Sequence, residues 1–295
     1  MNLDIKTYDS DGRNPIGKLS NSYLSLIKEG WIFEQVAISE REENGRNLKY
    51  PIFSFRTQKK GDTLWLLSGI HGEEPAGPNA IAKGLDYIKS LGMEIPVVLL
   101  PLCNPLGYAR NWRYPRVEKW ESGKDDSVGD SEHLLFLKDS KSPIRAEPKN
   151  SECDALTKHI LKLSEYYKPF LTIDLHEDDG VKGSYIYISS DEGNKNKIAK
   201  KIINLLKKKI PLAEDETDTR SDEIIRNGMI VNHNRDYSID NLLYSREIII
   251  DWKKRKGPSS KTSIVVETDS KEPLEKRVEA HLEIIKNLRE IARLN

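Results

Sequence analysis

Four short stretches hold the residues whose types and spacing could do chemistry. "LLSGIHGEEPAG" sets His71 and Glu74 three residues apart, just past an apolar run. "LTIDLHEDD" sets His176 at the end of a second apolar run, followed by Glu177, Asp178 and Asp179. "SIVVETDS" closes a third run at Glu267. Two imidazoles and one carboxylate are a common catalytic zinc set, with the fourth position left to water. Zinc lowers the pKa of that water toward neutrality, which generates hydroxide. A carboxylate outside the ligand set must take the water's proton, and Glu267 is the candidate. A cation must stabilise the oxyanion, and Arg113 in "NPLGYARNWRYPR" is the candidate.

Each residue also has a plainer reading. An HxxE spacing is a weak signal in a chain with six histidines and 47 acidic residues. Glu74 suits the first turn of a helix, where the dipole favours an acid. His176 suits a polar position at a sheet edge, and the acids behind it either face solvent or orient its imidazole. Glu267 suits an ordinary strand end. Arg113 lies near Arg110 and Arg116, which would also make a solvated basic face. Only the joint placement, each group at a strand end or on a loop beside one, favours the metal reading.

The elements that must position these groups are legible as hydrophobic patterns. "TLWLLSGI", "IPVVLLPL", "FLTIDL" and "SIVVET" read as buried strands, since they are near-continuous apolar runs. "PNAIAKGLDYIKSLG" reads as one helix between the first two, which makes a βαβ unit with a parallel pair. "WIFEQVAI" and "KYPIFSFR" read as a hairpin around the polar turn "SEREENGRN". Further helices are expected in "GKLSNSYLSLIKEG", "ECDALTKHILKLSEYY" and "NKIAKKIINLLKKKI", and over the last residues of the chain. "GSYIYIS" and "REIIIDW" read as additional strands, "AEDETDTRSDE" as an exposed acidic loop and "KKRKGPSSK" as a basic loop. Residues 104–150 read as a long loop, a feature that in compact domains is usually functional or disordered. No repeat or linker divides the 295 residues, so one α/β domain over 1–295 is expected. In such sheets ligands sit beyond the carboxyl ends of the strands.

Lys+Arg and Asp+Glu are 47 each, so bulk charge attracts neither nucleic acid nor an anionic membrane. The basic stretches "KKRKGPSSK" and "LLKKKI" are short and offset by acidic segments, which reads as a solvated face rather than a nucleic-acid site. Cys103 and Cys153 form no CxxC pair, so neither a disulfide framework nor a cysteine zinc site is expected. The stretch "MNLDIKTYDSDGRN" lacks the apolar region of a secretory signal, and no apolar run reaches membrane-spanning length. The expected location is the cytosol; the oligomeric state is not readable.

Taken in order, "HGEEPAG", "NPLGYARNWRYPR", "LTIDLHEDD" and "SIVVETDS" resemble the zinc carboxypeptidase superfamily, which includes the succinylglutamate desuccinylase and aspartoacylase branch. The resemblance covers most of the chain, from Leu64 to Asp269. It implies a three-layer α/β/α sandwich with a mixed, mostly parallel sheet. It implies one zinc ion (Zn2+) per chain on His71, Glu74 and His176, and hydrolysis of an amide bond. By the same match Arg113 polarises the scissile carbonyl. Glu267 takes a proton from zinc-activated water and passes it to the leaving amine.

The chain departs from the family in one segment. Carboxypeptidases carry an Asn-Arg pair that holds the substrate's terminal carboxylate; here "SVGDSEHLLF" puts Ser131, Glu132 and His133 in that region. Arg116 or Arg145 could supply a substrate-binding cation from the same loop, or the acidic "DSEH" could select an amine. Of the tyrosines, Tyr244 best matches the family's mobile substrate-side tyrosine and Tyr237 is second. The leading expectation is a zinc-dependent peptidase. An N-acyl amino acid deacylase and a zinc-binding protein without hydrolytic activity are the alternatives.

Overall fold

The computed structural model describes residues 5–43, 45–115, 151–219, 223–231, 238–250 and 253–294. The strands are β1 (Ile32–Glu43), β2 (Arg46–Arg56), β3 (Gly61–Ser68), β4 (Val97–Leu100), β5 (Tyr167–Asp178), β6 (Tyr185–Ser190), β7 (Met229–Val231), β8 (Glu247–Ile250), β9 (Lys253–Lys256) and β10 (Thr262–Asp269). The helices are α1 (Ile16–Lys28), α2 (Ala76–Lys83), α3 (Leu85–Gly92), α4 (Pro105–Arg110), α5 (Ser151–Ser164), α6 (Lys197–Leu206), α7 (Ile239–Tyr244), α8 (Leu274–Lys286) and α9 (Leu288–Ala292).

Eight strands form one mixed sheet in the order β1-β2-β4-β3-β5-β10-β6-β7. Its centre, β4-β3-β5-β10, is parallel, and antiparallel pairings join it to β2 on one side and β6 on the other. Because side chains alternate across a strand, the apolar run of β3 feeds both faces. Leu64 and Leu66 enter a core shared with α1, α2, α3, α4, α6, α8 and α9, while Trp65 and Leu67 enter a second core under α5 and α7. This is the three-layer α/β/α arrangement expected from the sequence. Among the described residues no helix is long and apolar enough to cross a membrane.

Several local expectations are corrected. The single helix expected after β3 is two, α2 and α3, joined at Gly84. A Cβ on Gly84 would lie 2.6 Å from the Cγ2 of Ile285, so the bare backbone lets α8 pack tightly against this joint. The C-terminal helix is likewise divided, at Asn287. The hairpin strands β1 and β2 run through the polar residues expected to form its turn, paired from Ile32–Arg56 to Glu43–Arg46 with one register shift between Gln35 and Ala37. The start of the expected basic loop is a strand: Lys253–Lys256 pairs antiparallel with Glu247–Ile250 outside the main sheet. Its four exposed cations hide a strand from any reading based on apolar alternation. The helix α4 stands where only loop was expected, opened by Pro105 and capped by Asn104, whose Oδ1 accepts from the Gly107 N–H at 2.8 Å.

Candidate metal centre

The strands β3, β5 and β10 deliver their last residues to one edge of the sheet, the carboxyl edge of the parallel centre. Past β3 the chain turns sharply at residues 69–75 before α2 begins. Glu74 was expected in the first helical turn; it lies instead, with His71, in the turn ahead of α2, which the Glu74 N–H closes on the His71 carbonyl at 3.3 Å. The turn fits because Gly72 has no side chain. A Cβ there would lie 2.0 Å from the Gly107 carbonyl carbon and 2.3 Å from the Tyr108 nitrogen, both backbone of α4.

His71, Glu74 and His176 are all buried, and one donor atom from each lies within 4.8 Å of the others. The His71 Nδ1 is 2.7 Å from Glu74 Oε1, the His176 Nδ1 is 2.9 Å from Glu74 Oε2, and the two Nδ1 atoms are 3.2 Å apart. Two imidazole nitrogens so close, both aimed at one carboxylate, must share protons or a cation among them. Burial alone would raise the Glu74 carboxyl, but the His71 and His176 imidazoles outweigh it and hold Glu74 well below the usual carboxylate range. Burial opposes the charge on His176, yet Asp174 and Glu74 push its pKa well above the ordinary imidazole value. Two nitrogens and a carboxylate oxygen converging in a buried pocket are donors that suit zinc and related divalent ions, so the residues present fit such an ion.

Partners around the set fix its geometry. Asp174, two residues before His176 on β5, places Oδ2 3.3 Å from the His176 Nε2. The acids behind His176 were expected either to face solvent or to orient it; the acid beside its Nε2 instead precedes it, on the same face of the strand. Glu177 points elsewhere. Its Oε1 accepts the Ala76 N–H at 2.5 Å, at the start of α2, and it pairs with Arg277 of α8. Its own N–H donates to Glu74 Oε2 at 3.2 Å, so the two ligand-bearing segments are bridged in both directions. The helix-dipole role imagined for Glu74 therefore falls to Glu177. The ring of buried Tyr114 meets His71 edge-on, with centroids 5.8 Å apart and planes at 87°. Neither Asp174 nor Tyr114 stood out in the sequence; an acid two residues before a strand-end histidine is the one usable signal.

Glu267 is brought to the same edge. It is in register with His176 on the neighbouring parallel strand, and with Tyr185 on the other side. Burial, followed by the nearby Glu74 and Asp178 carboxylates, pushes its pKa to about 8, against the opposing pull of His176 and His71. Arg113 is also brought in. Its Nη1 contacts Glu73 Oε1 at 2.9 Å and Glu74 Oε1 at 3.1 Å. Glu73, the acid next to Glu74 in the turn, is half-buried and anchors this guanidinium.

Tyr244 is not brought to the centre. The carbonyl of the preceding Leu243 accepts from the Ser260 N–H, which places this end of α7 beside the amino end of β10, opposite Glu267. The expectations for Arg116, Arg145, Tyr237 and residues 131–133 fall outside the described residues.

No protein-family model matches the chain, and no curated protein matches it in sequence. Solved structures do match. A protein of Shewanella baltica OS155, provisionally designated a metallopeptidase, superposes with a TM-score of 0.71 at 21% identity over 100% of both chains. A metallo-carboxypeptidase from Burkholderia cenocepacia matches 98% of this chain and 70% of its own, with a TM-score of 0.55 at 9% identity. Carboxypeptidase A from Helicoverpa armigera matches 94% of this chain and 71% of its own, with a TM-score of 0.54 at 13% identity. The chain thus carries the fold of the metallo-carboxypeptidases, in agreement with the resemblance read from its four motifs.

Proposed function

We propose that this protein is a metal-dependent hydrolase of amide bonds, acting on peptides, with zinc held by His71, Glu74 and His176. The observation that carries the reading is the convergence of these three buried donors beside Glu267, at the sheet edge where α/β proteins bind ligands. A divalent ion bound there would supply Lewis acidity toward a water and a substrate carbonyl. The chain's own groups supply the rest. Glu267, a carboxyl outside the ligand set whose pKa burial raises in the metal-free chain, is the group assigned to take a proton from water and return it to the leaving amine. Arg113, fastened by Glu73 and Glu74 beside the ligand set, is the cation assigned to stabilise an oxyanion. Asp174 and Glu177 hold His176 and the start of α2 so that the donors keep their positions. Cys103 and Cys153 are buried thiols rather than a disulfide, which fits a cytosolic location.

The test is Glu267→Gln in zinc-loaded protein, assayed against a panel of peptides and N-acyl amino acids. The expected result is loss of turnover by at least about a hundredfold with zinc content unchanged. Intact activity would remove Glu267 from its role. Turnover confined to N-acyl amino acids would replace the peptidase reading with the deacylase one. No turnover of any member by the unsubstituted chain would favour a zinc-binding protein on this fold.

A further inference from the structure

The loop holding His71 and Glu74 is gripped from behind by a residue that the chemistry above does not use. Arg13 lies in the segment before α1, yet its side chain is wholly buried. Its Nη1 donates to the Gly72 carbonyl at 2.8 Å and to the Tyr108 carbonyl at 2.6 Å. Its Nη2 donates to Asn111 Oδ1 at 2.6 Å and to Asp11 Oδ2 at 2.5 Å, and its Nε donates to the same aspartate. The guanidinium carbon lies 5.1 Å from the Tyr8 ring centroid and 4.8 Å from that of Tyr108. Burying a guanidinium carries a desolvation cost of several kcal/mol, offset only where every donor is well placed.

The acceptors show what this geometry fixes. The Gly72 carbonyl lies between the two candidate ligands of the turn, so holding it sets the peptide plane from which His71 and Glu74 diverge. The Tyr108 carbonyl and Asn111 belong to α4 and its end, the surface on which Gly72 rests without a Cβ. Asn111 has a left-handed backbone, φ 59°, and its side chain is turned to Arg13. One planar fork thus ties three segments, 8–13, 71–74 and 105–111, at the point where the ligand turn could slide. A lysine, with one flexible ammonium, cannot reproduce that fork.

We propose that Arg13 is a positioning residue of the metal centre, locking the Gly72 carbonyl so that His71 and Glu74 meet His176. This inference rests on the metal reading of His71, Glu74 and His176. It is tested by titrating Co2+ into the full chain, Arg13→Lys and Asn111→Gly, following the visible cobalt spectrum, with circular dichroism and urea unfolding of each metal-free protein. Asn111→Gly keeps the left-handed backbone at no steric cost while removing one of the fork's acceptors. The expected result for Arg13→Lys is a fall in cobalt affinity of about tenfold to a hundredfold with an altered spectrum, in a protein that still unfolds cooperatively. Asn111→Gly should shift affinity the same way by a smaller factor. A folded Arg13→Lys with unchanged affinity and spectrum would overturn the proposal and leave the metal reading standing. If Arg13→Lys does not fold, the same outcome in Asn111→Gly overturns it. Failure of the unsubstituted chain to bind cobalt would overturn the metal reading and this inference with it.

Discussion

Gly72→Ala is the smallest change that should disable the site, since it adds one methyl group outside the ligand set. That methyl would stand 2.0 Å from the Gly107 carbonyl carbon, 2.3 Å from the Tyr108 nitrogen and 2.5 Å from the Gly107 Cα. All three obstacles are main chain, so no rotamer change relieves the clash. Restoring ordinary contact requires the turn and α4 to part by about 1 Å or more, since carbon contacts settle at about 3.5–4 Å. Overpacking of this kind costs about 1–3 kcal/mol, and rigid neighbours favour the upper end. Functional constellations tolerate only about 0.5 Å of displacement, so a 1 Å retreat should also lose the metal. Gly45→Ala is the matched control: its Cβ meets nothing within 4 Å and only its φ of +72° opposes the change, a strain of about 1–2 kcal/mol. Urea unfolding and metal content per chain, measured on both variants, decide the matter. If Gly72→Ala is as stable as Gly45→Ala and carries its full metal, the close seating of the turn on α4 does not set the site.

Two more predictions concern groups away from bond cleavage. Asp174→Asn should weaken metal binding by about tenfold to a hundredfold, because His176 loses its orienting carboxylate; competition with a chromogenic chelator measures this, and unchanged affinity would refute it. Acid should destabilise the fold through two buried histidines. Burial, aided by nearby cations, holds His281 neutral with a pKa of about 3, and burial outweighs Glu34 to bring His159 to about 4. Both lie below the ordinary value of 6.5, so below pH 6.5 the unfolded chain takes up protons that the folded chain refuses. The stabilisation is complete above pH 6.5 and declines as pH falls toward those lowered values, by about 2 kcal/mol for each histidine at pH 5. Unfolding free energies of metal-free protein at pH 7 and pH 5 should fall less steeply in His281→Asn than in the unsubstituted chain; parallel declines would exclude His281 as a source.

The parts of the fold visible in the sequence are those whose physics is local. β3, β4, β5 and β10 are buried on both faces, so "LWLL", "VVLL", "FLTIDL" and "SIVV" stand out as apolar runs whatever their neighbours are. His71, His176 and Glu267 were found because each follows directly on such a run. What the sequence hid depends on contacts between distant segments. The bare backbone at Gly84, where α2 gives way to α3, is required by Ile285, some two hundred residues later. Lys253–Lys256 is a strand through pairing alone. Arg13 and Glu177 are ordinary charged residues until the fold buries them against Gly72 and Arg277. Tyr244 precedes Glu267 closely in the chain, yet α7 carries it to the other end of β10.

The strand order has a consequence for how the protein comes into being. β5 and β6 follow each other in the chain but do not pair; the place between them in the sheet belongs to β10, which begins at Thr262. During synthesis the segments bearing His71, Glu74 and His176 emerge well before that strand does. Until residues 262–269 insert, two open strand edges face each other across a gap, the kind of surface that pairs wrongly or aggregates. The same late arrival separates two capacities in time. An unfinished chain has the groups that could hold an ion but not Glu267, the carboxyl assigned to move protons. Completing the sheet and bringing Glu267 beside the three candidate ligands are therefore one event.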